Sequence, residues 1–155
     1  MKPFIDPKAK VVFRVVGEDG KADVETLWAH DLGSDRYKID NCPFFAYGVS
    51  LHDVVLAPRD PTDGRPTFER VLSKSGNRTV RVFFNAPVVT GNVSDRILRG
   101  LVAMGCGYEG ANSSYVVVNI PSRVDLPAVR DYLIAQDAQW EHCDPTYDEV
   151  YAHDA

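Results

Sequence analysis

Alternating apolar and polar positions, separated by turn residues, dominate the first half of the chain. Such a two-residue period is typical of half-buried strands. Three stretches of this half have the pattern of strands: Lys10–Val16, Val24–Asp31 and Thr67–Ser73. In the second stretch the alternation predicts that Trp28 faces the core. Short strands joined by tight turns predict a small curled β-sheet or barrel over residues 1–76.

The second half of the chain has a different rhythm, in which helical periodicity alternates with strands. The predicted elements over residues 77–155 are, in order, Arg78–Phe84 (strand), Asp95–Met104 (helix), Gly107–Asn112 and Tyr115–Ile120 (strands), Leu126–Gln136 (helix) and Gln139–Asp144 (strand). Ser94 and Asp125 are the expected N-caps of the two helices. The order β-α-β-β-α-β predicts a ferredoxin-like half, so the fold class is α+β.

Between the first strands lies an aromatic stretch, Arg36–Val55, which contains a proline and several turn residues. It predicts a strand, an aromatic loop and a second strand from Asp53 to Pro58, because Pro43 interrupts strand pairing and Gly48 permits a turn. The preferred interpretation is that four aromatic side chains are mostly structural: Trp28, Tyr37, Phe44 and Phe45. The alternative is a pocket formed by Asp40, Asn41, Phe44, Phe45, His52 and Asp53.

A distinctive set of residues extends from the second predicted strand through the aromatic stretch: Trp28-Ala29, Leu32-Gly33, Tyr37, Ile39, Asp40, Asn41, Pro43 to Ala46, Gly48 to Ser50, Asp53 and Val55. This set resembles the signature of an uncharacterised bacterial domain family of unknown function. The resemblance extends over most of the chain. It implies a bacterial or archaeal origin, and it assigns neither an activity nor a catalytic residue.

The C-terminal end of the chain is strongly acidic. The net charge is −5, yet the seven acidic residues after Arg130 are accompanied by no lysine or arginine. Thr146 and Glu149 have capping-box spacing, which predicts a helix from Tyr147 to about His153. Aromatic residues interleaved with acids favour an interface. The predicted partner-binding face consists of Trp140, Glu141, Asp144, Tyr147, Asp148, Glu149 and Tyr151.

Motifs for metal, cofactor or nucleic-acid chemistry are missing from the sequence. The histidines have no ligand spacing with one another or with the three cysteines, so we expect neither a metal nor a cofactor. The sequence contains no stripe of basic residues, which argues against nucleic-acid binding. An odd number of widely spaced cysteines favours a reducing compartment, and no apolar run is long enough for a membrane span. We therefore expect a cytoplasmic protein.

These observations lead to three functional hypotheses. The preferred one is a non-enzymatic protein-binding domain, best described as an immunity-type inhibitor that captures a toxin or another basic protein. The alternative is a regulatory module that senses a small molecule under the aromatic loop. The third is an enzyme that uses Asp40, His52 and Asp53 as acid-base groups.

Overall fold

The computed structural model describes residues 9–16 and 19–152, apart from the side chain of Ala22. The chain divides into two compact units, Met1–Ser75 (unit 1) and Gly76–Ala155 (unit 2). Each unit is built on one antiparallel sheet. The class is thus α+β, with strands predominating and with all described helices in unit 2.

Unit 1 contains a meandering sheet whose strands follow each other in chain order. The strands are β1 (Ala9–Val16), β2 (Ala22–Gly33), β3 (Arg36–Ile39), β4 (Val54–Leu56) and β5 (Arg70–Ser73). The segment before β5 curls back to β1. The backbone N–H of Val12 donates to Pro66 O at 2.8 Å, and Phe68 N–H donates to Val12 O at 2.8 Å. The sheet therefore forms a curled half-barrel.

The core of unit 1 is lined by alternate residues of its first three strands. On β2 these are Leu27 and Ala29, which pack with buried residues that include Phe13, Tyr37 and Ile39. The prediction that Trp28 faces the core is wrong. Its side chain is 45% exposed on the other face, where Lys10 Nζ lies 4.5 Å from the ring centroid.

The reason for this reversal is Glu25, which is buried on the core face of β2 at 7% exposure. Its carboxylate accepts hydrogen bonds from three consecutive backbone amides of the central loop, those of Phe44, Phe45 (3.2 Å) and Ala46 (2.9 Å). A buried carboxylate is tolerated where such charge-assisted bonds replace water. The strand consequently keeps its two-residue period, with a glutamate on the inner face.

Unit 2 contains a four-stranded sheet and three helices. In chain order its elements are β6 (Arg78–Phe83), α1 (Val93–Ala103), β7 (Gly107–Gly110), β8 (Tyr115–Ile120), α2 (Leu126–Ala135), β9 (Gln139–Asp144) and α3 (Tyr147–Tyr151). The strand order across the sheet is β7-β8-β6-β9. Valines from β6 and β8 form a core with Leu101 of α1 and with Val129 and Leu133 of α2.

The caps show how local sequence sets the helix ends in unit 2. Asp125 is the N-cap of α2, as predicted, and its side chain accepts from Ala128 N at 3.1 Å. For α1 the prediction of Ser94 is wrong, because Asn92 caps the helix and the Ser94 hydroxyl instead donates to Ala86 O. The predicted capping box of α3 is confirmed in both directions between Thr146 and Glu149.

We predict that Glu25→Ala lowers the free energy of unfolding by at least about 3 kcal/mol, because three loop amides lose their acceptor. Glu25→Gln should cost less, since one amide oxygen still accepts. Urea melts followed by circular dichroism provide the measurement. The exposed Glu69→Ala is the control and should change stability by less than about 0.5 kcal/mol. Equal melts for Glu25→Ala and the parent would contradict the structural role of Glu25.

Candidate functional site

The aromatic loop, Pro43–Gly48, has both buried and exposed faces. Ala46 belongs to the core of unit 1, and Phe44 is half-buried. Phe45 and Tyr47, in contrast, are 56% and 54% exposed. The expectation that Phe45 is a mostly structural core residue is therefore wrong. Because Glu25 holds the loop by its backbone, the side chains of alternate loop residues remain outside the core.

The two exposed rings form one wall of a groove in unit 1, which we call the aromatic groove. It encloses about 380 Å³. Its lining consists of Phe13, Arg14, Val15, Val16, Phe45, Ala46, Tyr47 and Phe68. The rings of Phe13 and Phe68 stack with centroids 4.6 Å apart. A groove of this size and apolar character falls within the range of ligand-binding sites.

Along the groove runs the edge of strand β1. The N–H and C=O of Val12 point away from β2, since they bond to Pro66 and Phe68. In an antiparallel ladder alternate residues point the same way, so the backbone groups of Arg14 and Val16 also point outward. Within residues 9–16 and 19–152 no backbone hydrogen bond is made to those outward groups. Among the residues that the structure describes, the end of β1 is thus an open sheet edge.

Arg14 is the charged residue of the groove lining, and its charge is balanced nearby. Its guanidinium lies 2.5 Å from Asp60 Oδ2. The Thr62 hydroxyl and backbone amide, together with Arg14, hold the pKa of Asp60 below its ordinary value. The arginine and aspartate therefore remain paired charges at neutral pH, and the groove presents an electrically neutral surface.

The polar residues predicted to form a pocket beside the loop have separate roles. Asp53 is fully enclosed, and its carboxylate accepts from Ser50 N (2.8 Å), Ser75 N (2.8 Å) and Lys74 Nζ (2.6 Å). Asn41 Oδ1 accepts from Trp28 N at 2.7 Å. Both side chains thus anchor backbone, as turn residues commonly do.

Asp40 and His52 do come together, and they are joined by His30. Asp40 Oδ1 lies 3.4 Å from His30 Nε2 and 3.8 Å from His52 Nε2, and all three side chains are partly exposed. His52 has a positive φ of 68°, which is uncommon for a non-glycine residue. Across residues 9–16 and 19–152 no three His, Cys, Asp or Glu side chains are grouped to hold a metal ion.

His30 is absent from the sequence-based candidates, although the hairpin register contains a signal for it. His30 pairs with Lys38 across β2 and β3, and diagonal neighbours on one sheet face are two residues apart. Asp40 is the diagonal neighbour of His30. A hairpin register drawn from the sequence would therefore have connected them.

The predicted C-terminal face is divided between several environments. Trp140 packs against the core of unit 2, and Asp144 is buried. Glu141 follows Trp140 on the strand and points to the opposite face, where it lies 3.3 Å from the buried Arg81. The remaining candidates are on α3: Tyr147, which is 64% exposed, Asp148 and Glu149, which are exposed, and the half-buried Tyr151.

The sheet architecture and the groove define the class of this protein. It is a mixed α+β protein with two antiparallel sheets and an apolar groove in the curled one. The sequence profile of a domain of unknown function, DUF4265, matches residues 25–143. The chain belongs to this family. Its resemblance to an uncharacterised family is thereby confirmed.

Among solved structures, the fold is similar to that of a hypothetical protein from Neisseria gonorrhoeae. The TM-score is 0.78 at 16% sequence identity, over 93% of this chain and 99% of that one. Such a likeness at low identity shows a shared fold. No curated protein matches the chain. Among the described residues, none of the helices has the length and apolarity needed to cross a membrane.

We predict that Phe45→Ala changes the free energy of unfolding by less than about 1 kcal/mol, because the ring is mostly exposed. Phe13→Ala is the matched control and should cost about 3 to 5 kcal/mol, since that ring is buried at 2% exposure. Urea denaturation of both variants provides the comparison. A loss for Phe45→Ala as large as that for Phe13→Ala would place the Phe45 ring in the core.

Proposed function

We propose that the chain is a non-enzymatic protein-binding domain that captures an extended apolar segment of a partner protein in the aromatic groove. The observation that carries this proposal is the position of the groove directly beside the open edge of β1. An extended chain added to a sheet edge gains affinity from backbone hydrogen bonds, and pockets for alternate side chains provide specificity.

The backbone of the partner would pair with the outward N–H and C=O groups of Arg14 and Val16. An apolar or aromatic side chain of the same segment would then lie between Phe45, Tyr47 and the stacked ring of Phe68. Rigid aromatic side chains are frequent anchors of protein interfaces. Since Arg14 is already paired with Asp60, the groove favours an uncharged segment.

Panning a phage library of random peptides against the immobilised protein tests this proposal. We expect enrichment of peptides with apolar residues at alternate positions, and we expect Phe45→Ser to weaken their binding at least tenfold, or about 1.4 kcal/mol. Val16→Pro should weaken it similarly, because proline removes one outward donor while the strand itself tolerates it. Val16→Ala keeps the amide and is the matched control.

Other results of the panning experiment would contradict the proposal. Peptides that bind Phe45→Ser and the parent equally would place binding outside the groove. If no peptide is enriched while small aromatic compounds raise the melting temperature of the parent and not of Phe45→Ser, the groove takes a small molecule. That outcome would favour the regulatory sensing module instead of the protein-binding domain.

A second candidate function is capture of a basic protein by helix α3, as in an immunity-type toxin inhibitor. It is favoured by the exposed side chains of Tyr147, Asp148 and Glu149, which combine an aromatic anchor with negative charge. Both acids lie in the first turn of α3, where the helix dipole stabilises them. Such a surface accelerates encounter with a basic partner.

We predict that the double variant Asp148→Asn and Glu149→Gln slows association with any basic protein that the parent captures. The association rate should also depend less steeply on salt, because two charges are lost. Glutamine can still complete the capping box, so α3 should remain folded. Stopped-flow measurements at low and moderate salt provide the test. An unchanged rate and salt dependence would exclude α3 as the capturing surface.

Other structural features bear on the fold of unit 2, the cellular location and the enzyme hypothesis. The strand order β7-β8-β6-β9, with α1 and α2 in the two crossovers, supports a ferredoxin-like assignment for unit 2. Cys42, Cys106 and Cys143 are buried and form no disulfide bond, which supports a cytoplasmic location. An enzyme using Asp40, His52 and Asp53 has less support, because the Asp53 carboxylate is enclosed by its three donors.

A further inference from the structure

His142 on β9 is a buried histidine whose two ring nitrogens lack hydrogen-bond partners within the part of the chain that the structure describes. The residue is 6% exposed. Its ring meets those of Trp140 at 4.6 Å and Tyr151 at 5.8 Å between centroids, both edge to face. A polar ring enclosed in this way costs folding free energy, and the cost rises if the ring becomes charged.

The positive charge of Arg130 makes protonation of the ring still less favourable. Burial, followed by the guanidinium of Arg130, lowers the pKa of His142 from 6.5. Arg130 approaches from α2, where it bonds to Asp131 at 3.1 Å and also to Tyr151. From α3 the titratable group in contact with the ring is Tyr151. Across β6 the paired residue is the apolar Val80.

Helix α3 is the element best able to respond to this charge. It has five residues, none of them buried, and its half-buried Tyr151 lies against the His142 ring. A short helix with few buried groups opens locally at a lower free energy than the whole domain. Release of α3 would let water reach the imidazole ring.

We propose that His142 makes the docking of helix α3 sensitive to pH, so that α3 is docked at neutral pH and released under mildly acidic conditions. The direction follows from linkage. The docked state favours the neutral imidazole. Docked α3 is therefore most stable, relative to released α3, above pH 6.5, and it becomes less stable as the pH drops below that value. This device lies in unit 2 and is independent of the aromatic groove.

The test follows the amide of Val150, which donates to Thr146 O inside α3. We expect its hydrogen-exchange protection factor to fall about tenfold for each pH unit below 6.5, the slope for uptake of one proton. In His142→Phe the protection factor should remain constant over the same range. His30→Phe, in unit 1, is the matched control and should behave like the parent.

Tryptophan fluorescence provides a second measurement, on a protein in which His142 is kept. In a Trp28→Phe background, where Trp140 is the remaining tryptophan, fluorescence should change with the protonation of His142. His142→Leu serves if the phenylalanine variant does not fold. Constant protection of the parent and constant fluorescence of the Trp28→Phe protein between about pH 7.5 and pH 5 would overturn the proposal. The same transition in His142→Phe or His142→Leu would overturn it as well.

Discussion

The carboxylate of Glu25 is the interaction on which unit 1 depends. It gathers three consecutive loop amides, so the loop is held through its backbone and not through its rings. This arrangement leaves Phe45 and Tyr47 outside the core, where they border the groove. Asp53 fixes the far end of the same connection in a similar way, through Ser50, Ser75 and Lys74. The buried carboxylates of Glu25 and Asp53 thus hold the connection whose exposed rings border the groove, although neither acid lines the groove itself.

Elements of regular period were predictable because their signals are local. The strand Tyr115–Ile120 and the strand Gln139–Asp144 have the predicted bounds, and the caps at Asp125 and Thr146 act within one helical turn. Such signals need no knowledge of distant contacts. The same locality explains why the α3 capping box could be predicted and the environment of Tyr151 could not.

The surface that each residue joins was harder to predict, because it depends on contacts distant in sequence. The alternation along β2 puts Trp28 and Glu25 on opposite faces but does not identify the inner face, and the loop amides that permit Glu25 to be buried lie about twenty residues away. Asp40 and His30 meet only through the β2–β3 register. Along β9, simple strand alternation would have separated Trp140 from Glu141.

The open end of β1 has a consequence for self-association of the protein at high concentration. An unpaired strand edge is a template for other chains, and proteins usually shorten, cover or charge such edges. Here the segment around Thr67 covers the edge at Val12, and the Arg14–Asp60 ion pair lies at the part that stays open. The exposed length is thereby limited to a few residues, which restrains sheet-to-sheet polymerisation while the edge remains accessible.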